Sequence, residues 1–388
     1  MPEPEHVDTT AITAGRGSIG RSLAPILYPS TTYTVDQVAE HAAMVGDRDT
    51  TGFYSRFASP GVRDFEDAVA ALEGAEAAIA SSSGMGSVSA VILGLCSQGD
   101  HVVATRQLFS VTYALFTFHL PRLGIDVTFV DGTDADAIAE AVIPGRTQVV
   151  FVETPANPAL SLVDLDAIGA IAGPITVVDS TFAGPTVQRP LEHGVDLVLH
   201  AATKGIAGHN DSLLGVVAGN RDVIEPIWAF QSALGTQASP FDAWNGVRGI
   251  RTLAVRSRQQ SATALELART LEANPRIRSV SYPFLESHPQ HELARRQMTS
   301  GGTVVTFEVE GDAGDTIAVI ERCRLARIAL SLGGPETLLT HPATIARRFT
   351  PAERAELGVN DNLVRMSVGL EHVDDLTADL DQALRHHP

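Results

Sequence analysis

Apolar and polar positions along the middle of the chain follow a pattern that predicts a layered α/β fold. Short apolar runs, rich in Val and Ile, predict buried strands, and helical segments separate most of them. These runs are HVVAT (101–105), DVTFV (126–130), TQVVFVE (147–153), ITVVD (175–179), DLVLH (196–200) and LLGVVAG (213–219). Strands that alternate with helices are typical of a mostly parallel sheet flanked by helices.

Helical periodicity occurs before and after this region and indicates the boundaries between domains. PGVRDFEDAVAALEGA has Pro60 near its start, Phe65 and Leu72 on one face, and Gly74 at its end, which predicts a helix. From about residue 245 long amphipathic stretches appear, followed by the alternating strand GGTVVTFEVEG. The N-terminal stretch has little periodicity, so we expect an arm that contacts a neighbouring subunit. The expected units are the arm (1–55), an α/β domain (56–245) and a smaller α+β domain (246–388).

Composition narrows the class of protein further. With a formal net charge of −18 and no basic run, the chain is a poor candidate for binding nucleic acid. Its two cysteines, Cys96 and Cys323, are too few for a disulfide framework, which favours the cytoplasm. The N-terminus does not resemble a signal peptide, and no uncharged apolar run reaches the ~18 residues of a membrane helix. We therefore expect a cytoplasmic protein without nucleic-acid or membrane partners.

Lys204, in HAATKGIAGHND, is the only lysine of the chain. Arginine supplies every other basic side chain apart from histidine, and an arginine stays charged in proteins. A lysine amine, in contrast, can lose its proton when it is buried, and it then acts as a nucleophile and a base. Small residues surround Lys204, unlike a solvated charged face, so this position predicts a chemical role.

Other polar groups stand where predicted strands end, and ligands collect at such sheet edges. SSSGMGS (81–87) precedes an apolar helix and offers backbone N–H groups to an anion. Asn157 lies between two prolines, and Asp179 ends the strand ITVVD. An anion cradle, an amide, an acid and an amine match the phosphate, ring hydroxyl, ring nitrogen and aldehyde of pyridoxal 5′-phosphate (PLP). We therefore predict a Schiff base between PLP and Lys204.

Ordered blocks along nearly the whole chain resemble the Cys/Met-metabolism PLP-dependent enzymes, the trans-sulfuration family. The blocks are FYSR (53–56), SSGM (82–85), ETPANP (153–158), VVDSTFAGPTVQRPLEHGVDLVLHAATKGIAGHND (177–211), VRGIRTL (247–253), SHPQHELARRQM (287–298), SLGGPETLLTHPA (331–343) and LVRMSVGLE (363–371). This resemblance implies the fold of the type I PLP-dependent transferases. It also implies homotetramers that are dimers of dimers with shared active sites.

The resemblance also implies a role for each matching residue. The backbone of Gly84 and Met85, with Thr203, would hold the phosphate; Tyr54 and Arg56 would reach the phosphate of a neighbouring subunit. Arg365, helped by Ser331 and Leu332, would bind the substrate carboxylate. The catalytic residues would be Lys204, Phe109 and Tyr54, and the cofactor-binding residues Lys204, Asp179, Asn157, Gly84, Met85, Thr203, Phe109, Tyr54 and Arg56. No metal is expected.

Departures from the family pattern bear on the substrate. Phe109 stands where most members carry a tyrosine, so its ring can stack on the cofactor but cannot transfer a proton. The missing proton transfer would fall to Tyr54 or Lys204, or the substrate would carry a leaving group that needs less protonation. Cystathionine-cleaving members resemble one another in acids just before YSR and SLGG, where this chain has Phe53 and Leu330. An apolar pair favours a thioether over a distal ammonium group.

The hypothesis is therefore γ-elimination from an L-methionine-like amino acid, which gives a thiol, a 2-oxo acid and ammonia. Cystathionine γ-lyase activity and γ-replacement, as in cystathionine γ-synthase or the O-acylhomoserine sulfhydrylases, stay open. An inactive scaffold is disfavoured by Lys204 and Asp179. GRGSIG (15–20) lacks the strand and helix of a dinucleotide site, and the histidines lack metal-ligand spacing.

Overall fold

The computed structural model describes residues 5–346, 349–350, 353–354 and 357–385. Residues 1–4 of the expected arm and 386–388 of the expected C-terminal domain lie outside the described residues, as do short stretches between 347 and 356.

The six predicted apolar runs form strands of one seven-stranded sheet in the described part of the chain, and the seventh strand, Ala77–Ser81, was not among them. Its strands are β1 (Ala77–Ser81), β2 (His101–Thr105), β3 (Asp126–Val130), β4 (Thr147–Glu153), β5 (Ile175–Asp179), β6 (Leu197–His200) and β7 (Gly215–Gly219). Their order is β1-β7-β6-β5-β4-β2-β3, and β7 runs antiparallel to both of its neighbours while the other pairs are parallel. The prediction of a mostly parallel sheet is confirmed.

Both faces of this sheet are buried, which is why its strands read as continuous apolar runs. Phe151 of β4 packs in the cluster of the face that α4 and α8 cover, whereas Val150 and Val152 pack towards α6 and α7 on the other face. The helices before the second sheet are α1 (Val7–Thr13), α2 (Val38–Met44), α3 (Pro60–Glu73), α4 (Gly84–Leu95), α5 (Ser110–Ala114), α6 (Ala135–Glu140), α7 (Leu165–Gly169), α8 (Arg221–Leu234), α9 (Pro240–Ile250) and α10 (Leu253–Glu272). Short helical turns lie at Leu115–His119, Pro121–Leu123 and Pro190–His193.

A second sheet forms the C-terminal lobe. Its strands are β8 (Ile277–Ser281), β9 (Val304–Val309), β10 (Arg327–Ile328), β11 (Leu338–Thr340) and β12 (Leu363–Ser367), in the order β10-β11-β12-β9-β8. The helices that follow α10 are α11 (His291–Gln297), α12 (Ala313–Arg322), α13 (Pro342–Ile345) and α14 (Val373–Arg385). Helices α10, α12 and α14 bury the apolar face of this sheet.

The expected boundary at residue 245 falls inside α9. Helix α9 packs on α3 of the first lobe, while α10, which begins three residues after α9 ends, packs on β8 of the second lobe. The exact division into domains stays a prediction.

The expected arm is partly helical, because it contains α1 and α2. Ala11 of α1 is buried in the apolar cluster that includes residues of α3 and α9, so α1 packs on its own chain. Beyond it, Leu23 and Val38 are 86% and 87% exposed. Among the described helices, none is both long enough and apolar enough to cross a membrane.

Candidate active site

The polar residues predicted at strand ends meet at one edge of the first sheet. Strands β4, β5 and β6 are parallel, so their carboxyl ends lie side by side. Glu153 at the end of β4 pairs in register with Asp179 at the end of β5, and Asp179 pairs with Leu199 of β6. Lys204 follows β6 by four residues, which brings the amine to the same edge.

Lys204 reaches from the first lobe to the second. Its Nζ donates a hydrogen bond of 2.9 Å to Oγ of Ser331. Burial lowers the pKa of the Lys204 amine, and the charge of Arg365 lowers it further, because both disfavour the ammonium form. A neutral amine is the form that attacks an aldehyde and accepts a proton.

Ser331 adopts a backbone φ of 101°, which is uncommon outside glycine. Two contacts hold it there: the bond to Lys204 and a bond of 3.1 Å from the Arg365 guanidinium to the Ser331 carbonyl. Nearby, the two lobes meet backbone to backbone. A Cβ placed on Gly333 would lie 2.5 Å from the nitrogen of Gly205, so no side chain fits between the two loops.

Buried Arg256 fixes the loop that follows Lys204. Its guanidinium donates to the carbonyls of Gly205 (2.9 Å), Ile206 (3.4 Å) and Gly249 (2.8 Å). Burial lowers the pKa of Arg256 to about 10. A guanidinium suits this role because its planar fork can bond several acceptors at once.

Asp179 keeps one carboxylate oxygen available at the sheet edge. Its Oδ1 accepts hydrogen bonds from the backbone N–H of Thr181 (3.0 Å) and from the Thr181 hydroxyl (2.5 Å). Among the described residues, no hydrogen bond uses Oδ2. Burial raises the pKa of Asp179, while the Thr181 bonds and the charge of His200 oppose that rise. A positively charged ring nitrogen beside Oδ2 would favour the ionised acid, so this residue fits PLP.

Asn157 and Arg365 are joined directly. Arg365, on β12, is 7% exposed, and its guanidinium donates to Oδ1 of Asn157 at 3.0 Å. The amide N–H₂ of Asn157 is therefore free of this bond and can face a ring oxygen. Burial lowers the pKa of Arg365 to about 10, and Glu153 opposes that shift. Arg365 is not the surface ion pair that its position near the C-terminus could suggest.

Glu153 is a residue of the site for which the sequence analysis predicted no role. Its Oε2 accepts the backbone N–H of Phe109 at 2.7 Å, and its Oε1 accepts that of Asn157 at 3.1 Å. The signal in the sequence is its position: Glu153 is the first residue of ETPANP, so a carboxylate stands at the end of a buried strand.

The first turn of α4 makes a narrow cradle. Its N–H groups lack partners within the helix, as in every helix, and Ser83 caps only Gly86, at 3.1 Å. A Cβ on Gly84 would lie 2.6 Å from the Cβ of Ala201, so only glycine leaves room there. This close approach of backbone and loop fits a phosphate group.

Four other predicted residues occupy different environments. Phe109 is the residue just before α5 and is 43% exposed, while Met85 accepts a hydrogen bond of 3.5 Å from Thr112. Thr203 gives its hydroxyl proton to the carbonyl of Leu214 (3.1 Å), so a phosphate contact would require the hydroxyl to turn. The side chain of Leu332 is buried in an apolar cluster, which leaves only its backbone for a substrate.

Tyr54 and Arg56 lie apart from this cluster in the single chain. Arg56 donates to the carbonyl of Ser232 at 3.1 Å and lies over the rings of Tyr54 and Phe57. Among the described residues, no hydrogen bond connects Tyr54 or Arg56 to Lys204 or Asp179. Their predicted reach to a neighbouring subunit stays a prediction.

Within the described ranges, no group of three or more His, Cys, Asp or Glu residues is arranged to hold a metal ion. His200 instead forms a buried pair of 2.6 Å with Glu73.

A sheet edge that presents an amine, a carboxylate with a free oxygen, an amide and a glycine-lined helix start defines a PLP-dependent enzyme of fold type I. The chain belongs to the Cys/Met metabolism PLP-dependent enzyme family, whose model matches residues 8–385. It is therefore a PLP-dependent enzyme of the trans-sulfuration group, which acts on a small amino acid.

Similar proteins carry different activities within this family. The chain is 41% identical to O-succinylhomoserine sulfhydrylase of Pseudomonas aeruginosa, covering 97% of this chain and 94% of that protein. It is 39% identical to L-methionine gamma-lyase of Fusobacterium nucleatum (97% of each) and 40% identical to cystathionine beta-lyase of Coxiella burnetii (98% of each). The crystal structure of metB from Corynebacterium glutamicum superposes with a TM-score of 0.91 at 34% identity over 99% of each chain.

Proposed function

We propose that this enzyme is a carbon–sulfur lyase that eliminates the γ-substituent of an L-methionine-like amino acid. The products are a thiol, a 2-oxo acid and ammonia, and one water is consumed. The observation that carries the proposal is Leu330, which is 66% exposed directly before Ser331. An apolar side chain at this rim favours an alkyl thioether and disfavours the distal ammonium group of cystathionine.

The cofactor supplies an electron sink for the carbanion at Cα once it is bound. Lys204 would hold it covalently, Asp179 would face its ring nitrogen through Oδ2, and Asn157 would face the ring oxygen. The first turn of α4, at Gly84 and Met85, would bind its phosphate, and Phe109 would cover its ring.

Arg365 would orient the substrate by binding its carboxylate with two parallel N–H bonds. The guanidinium already lies within hydrogen-bond distance of Asn157 and Ser331, so little rearrangement is needed. Its burial strengthens the attraction to a carboxylate, because water competes less.

Lys204 would move the protons. Its lowered pKa makes the neutral amine available to take the proton from Cα, and the same nitrogen can then exchange a proton at Cβ. Ser331 accepts a hydrogen bond from this amine and fixes its position between the two steps. The Phe109 ring carries no transferable proton, so the thiolate would leave without a tyrosine acid.

A γ-replacement reaction is the second candidate, and Phe109 favours it. An O-acyl group leaves as a carboxylate, which needs less protonation than a thiolate. The 41% identical sulfhydrylase relative fits the same reading.

A substrate panel tests the proposal. Purified enzyme is incubated with methionine, homocysteine, cystathionine and O-acylhomoserine, each with and without an added thiol, and thiol and 2-oxo acid are measured. We expect methionine to give both products without an added thiol. If the enzyme forms product only from O-acylhomoserine with an added thiol, and no 2-oxo acid from methionine, the result would contradict elimination and support replacement.

We also propose that the enzyme is a homotetramer built from two dimers with shared sites. The support is the resemblance to the family together with the exposed apolar side chains of Leu23 and Val38 in the arm. Light scattering on purified protein measures the state. A cytoplasmic location stays a prediction from composition.

A further inference from the structure

Glu153 is a buried acid without a conventional ion-pair partner. It is 4% exposed, and among the described residues no Arg, Lys or His lies within 4.0 Å of its carboxylate in a salt bridge. A buried carboxyl group of this kind costs stability unless hydrogen bonds satisfy it. An acid that is buried at this cost is expected to have a role in the site.

The two oxygens of Glu153 bond to two different segments. Oε2 accepts the backbone N–H of Phe109, which lies between β2 and α5, and Oε1 accepts the backbone N–H of Asn157, in the turn after β4. The acid thus joins the residue expected to cover the cofactor ring to the residue expected to face the ring oxygen.

The rest of the site surrounds the same carboxyl group. Asp179 is its register partner on β5, and Arg365 bonds to the side chain of Asn157. Burial and the nearby charge of Asp179 raise the pKa of Glu153 well above its usual range. Protonated or ionised, a carboxyl group keeps an acceptor on each oxygen, so both backbone bonds persist.

We propose that Glu153 is a positioning residue that sets the distance between Phe109 and Asn157, and so determines how tightly the cofactor ring is held between them. The proposal rests on the cofactor-facing roles of Phe109 and Asn157. It does not depend on which sulfur amino acid reacts.

Glu153→Gln tests this with little change in volume. A glutamine has one acceptor oxygen, so one backbone N–H would face the amide N–H₂ and lose its partner. In the full-length enzyme we expect PLP to dissociate at least about tenfold more readily. We also expect a weaker visible circular dichroism of the bound cofactor, since that signal depends on how asymmetrically the surrounding groups hold the ring.

Asp379→Asn is the matched control. Asp379 is likewise buried and accepts backbone N–H groups on both oxygens, from Arg324 (2.8 Å) and Leu325 (2.9 Å), but it lies on α14 in the second lobe. This control should lower the melting temperature and leave the PLP dissociation constant and the dichroism unchanged. If Glu153→Gln behaves as the control does, the proposal is wrong.

Glu153→Asp supplies a second reading where the glutamine variant does not fold. A carboxylate on a shorter side chain keeps two acceptors but cannot reach both N–H groups at once. We therefore expect a PLP dissociation constant between those of the wild type and Glu153→Gln. Wild-type affinity and dichroism in Glu153→Asp would overturn the proposal. Because these measurements need no substrate, their failure is distinct from a failure of the proposed reaction.

Discussion

The strand-end site and the N-terminal arm are stabilised by different kinds of contact. In the site, Lys204, Asp179 and Arg365 are all bonded to groups of the same chain, some of them in the opposite lobe. In the arm, Leu23 and Val38 are almost fully exposed. The difference teaches that contacts within one chain position Lys204, Asp179 and Arg365, whereas the exposed side chains of the arm lack such contacts, which we propose a neighbouring subunit supplies.

Substitution of Lys204 tests the strand-end site and has the largest expected effect. In Lys204→Ala we expect activity to fall by roughly 10³-fold or more, because the proposal assigns to this one amine both the bond to the cofactor and the proton transfers. Borohydride reduction followed by peptide mass spectrometry should find no PLP on the variant. Lys204→Arg, which keeps a cation but no nucleophile, should be equally inactive. Covalent PLP elsewhere on the alanine variant would show that the site is misassigned.

Arg365→Lys removes the fork that binds two acceptors at once but keeps the charge. We expect KM for the amino acid to rise by about 10- to 100-fold with a smaller change in kcat, since a point charge cannot replace the two parallel bonds. Steady-state kinetics check this, with exposed Arg327→Lys on β10 as the control. An unchanged KM would remove Arg365 from substrate binding.

Arg56→Ala sharpens the contrast between site and arm. We expect the cofactor to bind about tenfold more weakly, which is the loss of one charged hydrogen bond to a phosphate. This variant can be denatured and refolded with an equal amount of Lys204→Ala. Half of the resulting dimers then contain one subunit of each variant. About one quarter of all sites would then regain both groups if sites are shared across a two-fold axis. No recovery of activity would place the site within one chain.

Phe109→Tyr has the smallest expected effect. The hydroxyl would add an acid near the leaving group, and we expect the methionine reaction to speed up by up to about tenfold, less than a full general acid gives, because Lys204 already carries protons. The comparison of methionine with O-acylhomoserine is the measurement. A larger gain for the O-acyl substrate would contradict a role in protonating a thiolate.

Short apolar runs were sufficient to predict most strands of the first lobe. Val150 and Val152 alternate with Phe151 across a sheet that is buried on both faces, so the run reads as a strand from composition alone. The lone lysine and the strand-end positions predicted Lys204 and Asp179, and the resemblance added Arg365. In the structure Lys204 and Arg365 both bond to Ser331, and Asp179 ends the strand next to the one that precedes Lys204.

Other features depend on contacts between segments far apart in sequence. The role of Glu153 rests on a backbone N–H 44 residues away, and no local pattern encodes that pairing. Helix α1 was missed because its burial comes from α3 and α9 rather than from its own short periodicity. The partners of Tyr54 depend on a second chain, which one sequence does not describe.

The glycine contact between the loops of Lys204 and Ser331 has a consequence for how molecules enter and leave. Because Gly205 and Gly333 meet without a side chain between them, the two loops close on each other there, and we expect substrate and product to pass near Leu330 and Phe109, which are exposed. If the proposed reaction is right, the apolar side chains of Leu330 and Phe109 would favour the uncharged end of a thioether and the release of a small apolar thiol, while Arg365 would bind the substrate carboxylate.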